Sequence, residues 1–169
     1  MSSTPDKISV LFCCLGNICR SPMAEAAFTH VITTSPPHIQ SRFTLIDSCG
    51  TASYHTGSSP DSRTVSELRR NGITTTHRAR QVRDSDFHEF DYILAMDEMN
   101  LRDLEARKRR GKRAEEGKAR VMLFGEFGEG KREIVEDPYY GGEDGFRRNF
   151  EQVTRMSKRF VREVLGEEV

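Results

Sequence analysis

Three absences exclude most extracellular and membrane roles. The first residues, Met1-Ser2-Ser3-Thr4-Pro5-Asp6-Lys7, are polar and hold no apolar secretory core. No apolar run approaches the roughly 18 residues that a membrane-spanning helix needs. Net charge is absent as well: 26 lysines and arginines face 26 aspartates and glutamates, a formal charge of +0, so no bulk attraction to nucleic acid or an acidic membrane is expected. Cysteine is scarce, with four in 169 residues. Cys13 and Cys14 are adjacent, and successive side chains of a strand point to opposite faces, so three thiols crowded into one stretch cannot staple a fold. There is neither a Cys-x2-Cys pair nor a His-x3-His, so no metal is expected. No repeat or long linker divides the chain. A soluble, cytoplasmic, monomeric protein of one domain is expected over residues 8–169, behind a flexible tail at 1–7.

Most of the information lies in one short stretch. Ile8-Ser9-Val10-Leu11-Phe12-Cys13 is apolar and reads as a strand. Pro22-Met23-Ala24-Glu25-Ala26-Ala27-Phe28 reads as a helix opening, with Ser21 as N-cap and Pro22 in the first helical position. Between them, Cys14-Leu15-Gly16-Asn17-Ile18-Cys19-Arg20-Ser21 makes a tight turn from strand to helix. Backbone N–H groups in such a turn have no intrahelical acceptor, and the helix dipole adds positive charge, so the turn suits an anion. A thiol in such a place, beside an arginine, ionises readily, with pKa values of about 3.5–7.5. Arg20 adds a fork of donors that can hold two oxygens of a tetrahedral oxyanion. Cys14 is then a nucleophile beneath a bound phosphate or arsenate, while amides and guanidinium stabilise the equatorial oxygens. Cys13, facing the other way, is expected in the core.

Further along, strand and helix patterns alternate. Helical spacing runs from Pro22 to about Thr33, with Met23, Ala26, Ala27, His30 and Val31 in phase, until Ser35-Pro36-Pro37 interrupts it. Phe43–Ser48 reads as a strand and Ser59-Pro60 to Asn71-Gly72 as a helix. A helical turn is expected around Asp84 to Phe90, a buried parallel strand at Tyr92–Ala95 and a helix from Asp97 to Glu105. Val121–Phe124 is a fourth strand. The last helix spans about Asp144 to Leu165, with Phe146, Phe150, Val153, Phe160 and Val164 on one face. Alternation of this kind predicts an α/β fold with a parallel sheet between two layers of helices. The basic stretch Arg107-Lys108-Arg109-Arg110-Gly111-Lys112-Arg113 is read as a solvated surface excursion balanced by Glu115 and Glu116.

The opening turn resembles that of the low-molecular-weight protein tyrosine phosphatases. The likeness recurs, in the family's order, at Ile46-Asp47-Ser48, His77-Arg78-Ala79-Arg80-Gln81-Val82, Phe90–Asp97 and Glu136-Asp137-Pro138-Tyr139-Tyr140-Gly141. It implies a single-domain, flavodoxin-like, four-stranded parallel sheet and the hydrolysis of phosphotyrosine, or of small phosphate monoesters, through a cysteinyl-phosphate, with no cofactor. In this reading Cys14 is the nucleophile and Arg20 binds the phosphate together with Leu15, Gly16, Asn17, Ile18, Cys19 and Ser21. Asp137 is the general acid, because a leaving oxygen departs more easily when protonated as its bond breaks. The resemblance also implies that Asn17, Ser21, Ser48 and His77 brace the loop and that Tyr54, Tyr139 and Tyr140 wall the substrate ring. Cys19 would capture oxidised Cys14 as a disulfide. Related arginine phosphatases carry threonine where Ile18 stands, which favours tyrosine. Two alternatives stay open: an arsenate reductase on the same loop, against which no cysteine follows Cys49, and a phosphotyrosine-binding module without turnover.

Overall fold

The computed structural model describes residues 6–111, 116–130, 132–139, 142 and 144–169. Residues 1–5 of the expected tail, Tyr140, Gly141, and Lys112 and Arg113 of the basic stretch lie outside them. The chain runs β1 (Ile8–Cys14), α1 (Arg20–Thr33), α2 (Pro37–Gln40), β2 (Phe43–Gly50), α3 (Ser62–Arg70), α4 (Asp86–Glu89), β3 (Tyr92–Ala95), α5 (Glu98–Arg110), β4 (Arg120–Leu123) and α6 (Asp144–Leu165). The four strands form one parallel sheet in the order β2-β1-β3-β4.

β1 is buried along its whole length because it lies between two strands and two helical layers. Its alternate residues Val10, Phe12 and Cys14 join one core with Met23 and Phe28 of α1 and Val153, Met156 and Phe160 of α6. Leu11 and Cys13 join the other, with Phe87, Phe90, Leu101 and Leu104. Phe160 is a hub of the first core, its ring 4.8–5.4 Å from those of Phe28, Tyr92 and Phe127. Cys13 is in the core as expected, and burial pushes its thiol well above the ordinary value, with help from Cys49.

The chain leaves β1 for β2 on one side and later crosses to β3 on the other. Such a reversal opens a crevice at the carboxyl ends of the strands. Four loops converge there, following β1, β2, β3 and β4, and each carries part of the site.

Several local expectations change. α1 begins at Arg20, not Pro22; Cys19 is the N-cap and no side chain caps the helix. The Ser21 hydroxyl is recruited by Cys14 instead. Pro22, in the third position, lacks an N–H that would have had no intrahelical acceptor anyway. His30 is exposed rather than part of the apolar face. α2 follows Pro36 and buries Ile39. α5 continues through Arg110, so Arg107–Arg110 form its last turn rather than a loop; Arg107 pairs with Asp84 at 3.0 Å and Lys108 donates to the Ala119 carbonyl.

The long connection after β4 is tied down by Glu133. Its carboxylate accepts both terminal nitrogens of Arg155 on α6 (2.7 and 3.2 Å), Gln152 Nε2 and the Glu129 N–H. The Arg155 hydrogen bond is the main cause that lowers its pKa from 4.5 to about 2. A carboxyl depressed on folding stabilises the protein above its unfolded pKa and loses that contribution as pH falls through the folded value. Thermal melts from pH 5 down to pH 2 should therefore drop less steeply for Glu133→Gln than for the unsubstituted protein. An equal slope would mean that the pair contributes nothing.

Candidate active site

At the mouth of the crevice, the turn from Cys14 to Cys19 has its carbonyls tied back. Those of Cys14 and Leu15 accept from Thr51 and Ala52, that of Ile18 from Asp61, and that of Cys19 from Met23. Among the described residues the N–H groups of Leu15, Gly16, Ile18 and Cys19 meet no protein acceptor. An anion-binding nest follows from this arrangement. The Asn17 N–H donates to Cys14 Sγ at 3.3 Å, and Ser21 Oγ lies 3.0 Å from the same sulfur. Cys14 is 3% exposed.

Asn17 takes φ +58°, a left-handed conformation that asparagine tolerates better than most residues. Its amide makes four hydrogen bonds, which hold it there. Nδ2 donates to Ser21 Oγ (2.8 Å) and Ser48 Oγ (3.0 Å). Oδ1 accepts from the Arg80 N–H (3.0 Å) and faces His77 Nε2 at 2.7 Å. The backbone donor of Arg80 fixes which end of the amide is oxygen, so His77 Nε2 is the donor of its pair. His77 Nδ1 faces Glu25 at 3.2 Å and Asp47 at 3.6 Å. Glu25, Asp47 and His77 have atoms within 4.8 Å of one another, close enough to hold a metal. Hydrogen bonding accounts for the cluster, because Glu25 also accepts from Ser48 and Asp47 from Arg80.

Arg20 is almost wholly buried. Its Nη1 donates to Asp97 Oδ2 at 2.6 Å and to the Val135 carbonyl at 3.2 Å, which leaves Nε and Nη2 for an anion. Burial opposes its charge, but the Cys14 sulfur, Asp97 and Asp137 outweigh that and hold the guanidinium above its ordinary value. Cys14, Leu15, Gly16, Ile18, Cys19 and Arg20 of the turn line a cleft of about 270 Å³ together with Tyr54, His55, Asp137 and Tyr139. Tyr54 is 77% exposed, so packing does not explain an aromatic there. Asp137 accepts the Tyr139 N–H at 3.0 Å.

The family model described as low molecular weight phosphotyrosine protein phosphatase matches residues 9–169. A protein of that name from Schizosaccharomyces pombe is 49% identical over 158 residues, 93% of this chain and 97% of the relative. Among solved structures, a protein tyrosine phosphatase from Entamoeba histolytica with Hepes in its active site superposes with a TM-score of 0.81 at 35% identity, over 95% of this chain and 98% of that one. An arginine phosphatase from Drosophila gives the same TM-score at 33% identity, over 92% of this chain and 97% of the other.

The chain belongs to the low-molecular-weight phosphotyrosine protein phosphatases.

The sheet of this phosphatase is the four-stranded, flavodoxin-like one that the resemblance implied. Cys14, Arg20 and Asp137 meet in one cleft although Asp137 lies more than a hundred residues downstream, and Tyr54 and Tyr139 stand on its walls. Asn17, Ser21, Ser48 and His77 form a single network. Sequence reasoning assigned no role to Asp97, Glu25, Asp47, Arg80 or His55. Asp97, Asp47 and Arg80 sit inside the stretches that carried the resemblance and Glu25 just beyond the opening turn, but their pairings are long-range. His55 packs over Gly16, where an added Cβ would come within 3.0 Å of its ring.

Gly50 ends β2 directly behind the turn. A Cβ there would sit 2.6 Å from the Leu15 carbonyl oxygen, a backbone atom that cannot yield without moving the loop. Gly50→Ala should lower kcat/KM about 10-fold or more, since misplacing the reacting groups by about 1 Å can cost on the order of 10²-fold. Unchanged kinetics would show the loop to be more plastic than its packing implies.

Proposed function

We propose that this phosphatase hydrolyses phosphotyrosine in proteins, and small aryl phosphates, through a phosphoryl group carried on Cys14. The observation that carries the reading is the position of the Cys14 sulfur: in a turn whose Leu15, Gly16, Ile18 and Cys19 N–H groups meet no protein acceptor among the described residues, between the Asn17 N–H and the Ser21 hydroxyl, in a cleft that Asp137 also lines. With the phosphoryl oxygens on those amides and on Arg20, the Cys14 thiolate attacks phosphorus as the phosphorus–oxygen ester bond breaks. Asp137 gives its proton to the departing phenolate. The Asp137 carboxylate then takes a proton from water, which attacks phosphorus and breaks the sulfur–phosphorus bond. Ser21 has one hydroxyl proton, shared between Cys14 Sγ at 3.0 Å and the Cys49 carbonyl at 3.2 Å. A departing thiolate is the charged acceptor and draws that proton. Tyr54 and Tyr139 flank the phenyl ring, and Tyr140 is assigned to the same wall from sequence alone.

The similarity to a Drosophila arginine phosphatase keeps phosphoarginine as the second reading. Ile18 on the cleft wall favours a flat aryl group over a guanidine, which needs polar partners. Rates on phosphotyrosyl and phosphoarginyl peptides of one sequence, with arsenate reduction measured alongside, decide the matter. We expect hydrolysis of the phosphotyrosyl peptide with a preference of about 10²-fold or more. Faster release from phosphoarginine, or reduction of arsenate without phosphatase turnover, would overturn the assignment.

The same reading has the enzyme working in the cytoplasm as a monomer. Its four cysteines are free thiols, as a reducing compartment would keep them, and no helix among the described residues is long and apolar enough to cross a membrane. Redox control by Cys19 belongs to this proposal. Burial, then Asp61 and Cys14, push the Cys19 thiol up to about 12, so it stays protonated while Cys14 reacts. Peroxide would convert the Cys14 thiolate to a sulfenic acid; attack by Cys19 sulfur then forms the disulfide, and hydroxide leaves with the thiol proton as water. Non-reducing peptide mapping after brief peroxide treatment should show a Cys14–Cys19 cross-link, and its absence would sink the idea.

A further inference from the structure

In the loop that carries the carboxylate, Glu136, Asp137 and Tyr139 are exposed. On one side Asn149 Nδ2 of α6 donates to the Glu136 carbonyl at 3.1 Å, with Pro138 packed near Gly145. On the other side Arg63 reaches across from α3. Its Nη1 donates to the Tyr139 carbonyl at 3.1 Å. Its guanidinium lies 5.1 Å from the centre of the Tyr139 ring and 4.7 Å from that of Phe146, between the cleft wall and the first turn of α6.

The far end of this contact is the opening turn. Arg63 Nε and Nη2 donate to the two carboxylate oxygens of Asp61, each at 3.0 Å. Asp61 is the N-cap of α3, accepting the Arg63 N–H at 2.8 Å, and its own N–H donates to the Ile18 carbonyl at 2.8 Å. The Tyr139 N–H donates to Asp137. A continuous path therefore runs from Ile18 through Asp61, Arg63 and Tyr139 to the Asp137 carboxylate.

We propose that Arg63 is a positioning residue for the general acid: it clamps Tyr139 to Asp61 and so sets where Asp137 stands over Cys14. The proposal rests on the reading of Asp137 as that acid. As an ordinary surface ion pair, Arg63–Asp61 would contribute little. Its geometry asks for more than charge. One planar group fills a carboxylate fork, donates to a backbone carbonyl and lies against two aromatic rings, and a lysine ammonium cannot do all three.

The test compares Arg63→Lys, Arg63→Ala, Asp137→Asn and the double variant Arg63→Ala/Asp137→Asn on aryl phosphates whose leaving phenols range from acidic to basic. kcat/KM is the readout because it reports the first chemical step. Basic leaving groups need the acid and acidic ones do not, so Asp137→Asn should steepen the dependence on leaving group. Both Arg63 variants should steepen it too, with a loss of about 10-fold on phosphotyrosine and little on the most acidic phenol. In the Asp137→Asn background, Arg63→Ala should cost less than about 2-fold further, because its effect passes through the carboxylate already removed. Arg63→Lys keeps the charge and the helix propensity, and a melting temperature close to that of the unsubstituted enzyme separates its kinetic loss from unfolding. If Asp137→Asn steepens the dependence while both Arg63 variants slow all substrates equally or none, Arg63 is structural and the proposal is overturned. If Asp137→Asn leaves the dependence unchanged, the general-acid reading itself falls, and the proposal with it.

Discussion

Cys14→Ser should bring hydrolysis of a phosphotyrosyl peptide down by on the order of 10⁵-fold, to near background, while the protein still folds and binds inorganic phosphate. The expected retention of binding follows from where the anion contacts lie. The backbone amides of Leu15, Gly16, Ile18 and Cys19 and the two unengaged nitrogens of Arg20 do not depend on the sulfur. Folding should survive because the serine hydroxyl can accept the Asn17 N–H and pair with Ser21 at the same place. What is lost is the sulfur nucleophile, for which a serine hydroxyl is a poor substitute. Circular dichroism, phosphate binding by calorimetry and a stopped assay separate the three outcomes. Substantial turnover in the folded variant would remove Cys14 from the chemistry.

Arg20→Lys should cost about 10³-fold in kcat/KM although it keeps the positive charge. Arg20 serves two masters in the structure. Nη1 is fixed by Asp97 at 2.6 Å and by the Val135 carbonyl, and the remaining edge of the fork faces the cleft. A lysine can satisfy Asp97 or reach an equatorial oxygen, but it has no second edge with which to do both. The loss should be carried by kcat more than by KM, because the fork matches the trigonal arrangement that phosphorus reaches in the transition state. A loss confined to KM would mean that Arg20 binds the ground state alone. Asp97→Asn should have a smaller effect in the same direction, since the amide still accepts one hydrogen bond.

How much of this was legible in the sequence depends on whether a residue's role is local. β3 at Tyr92–Ala95 and α6 at Asp144–Leu165 fall where they were expected, because a bounded apolar run and a long amphipathic face are strong local patterns. α2 has only four residues and no periodicity to reveal it. The overrun of α5 through Arg110 was hidden by its composition: arginine and lysine form helix well but show no apolar face. Ser21 has the chemistry of an N-cap, and a competing partner won its hydroxyl. In the site, Cys14, Arg20 and Asp137 could be named because their types and flanking residues carry the chemistry. Asp97 and Arg63 could not, because their importance lies in what they touch 77 and 76 residues away, at Arg20 and Tyr139. The sequence order of these pairs bears no trace of the contact.

The central claim is that phosphate passes through Cys14, and the most direct measurement is to trap it there. Wild type and Asp137→Asn would be mixed with a phosphotyrosyl peptide in the presence of a chelator, quenched in acid within the first turnover, and mapped by mass spectrometry. The account predicts a phosphoryl adduct on the peptide containing Cys14, present in the wild type and longer-lived in Asp137→Asn, where the base that activates water is missing. Phosphate released with no adduct on Cys14, or an adduct on another residue, would contradict it.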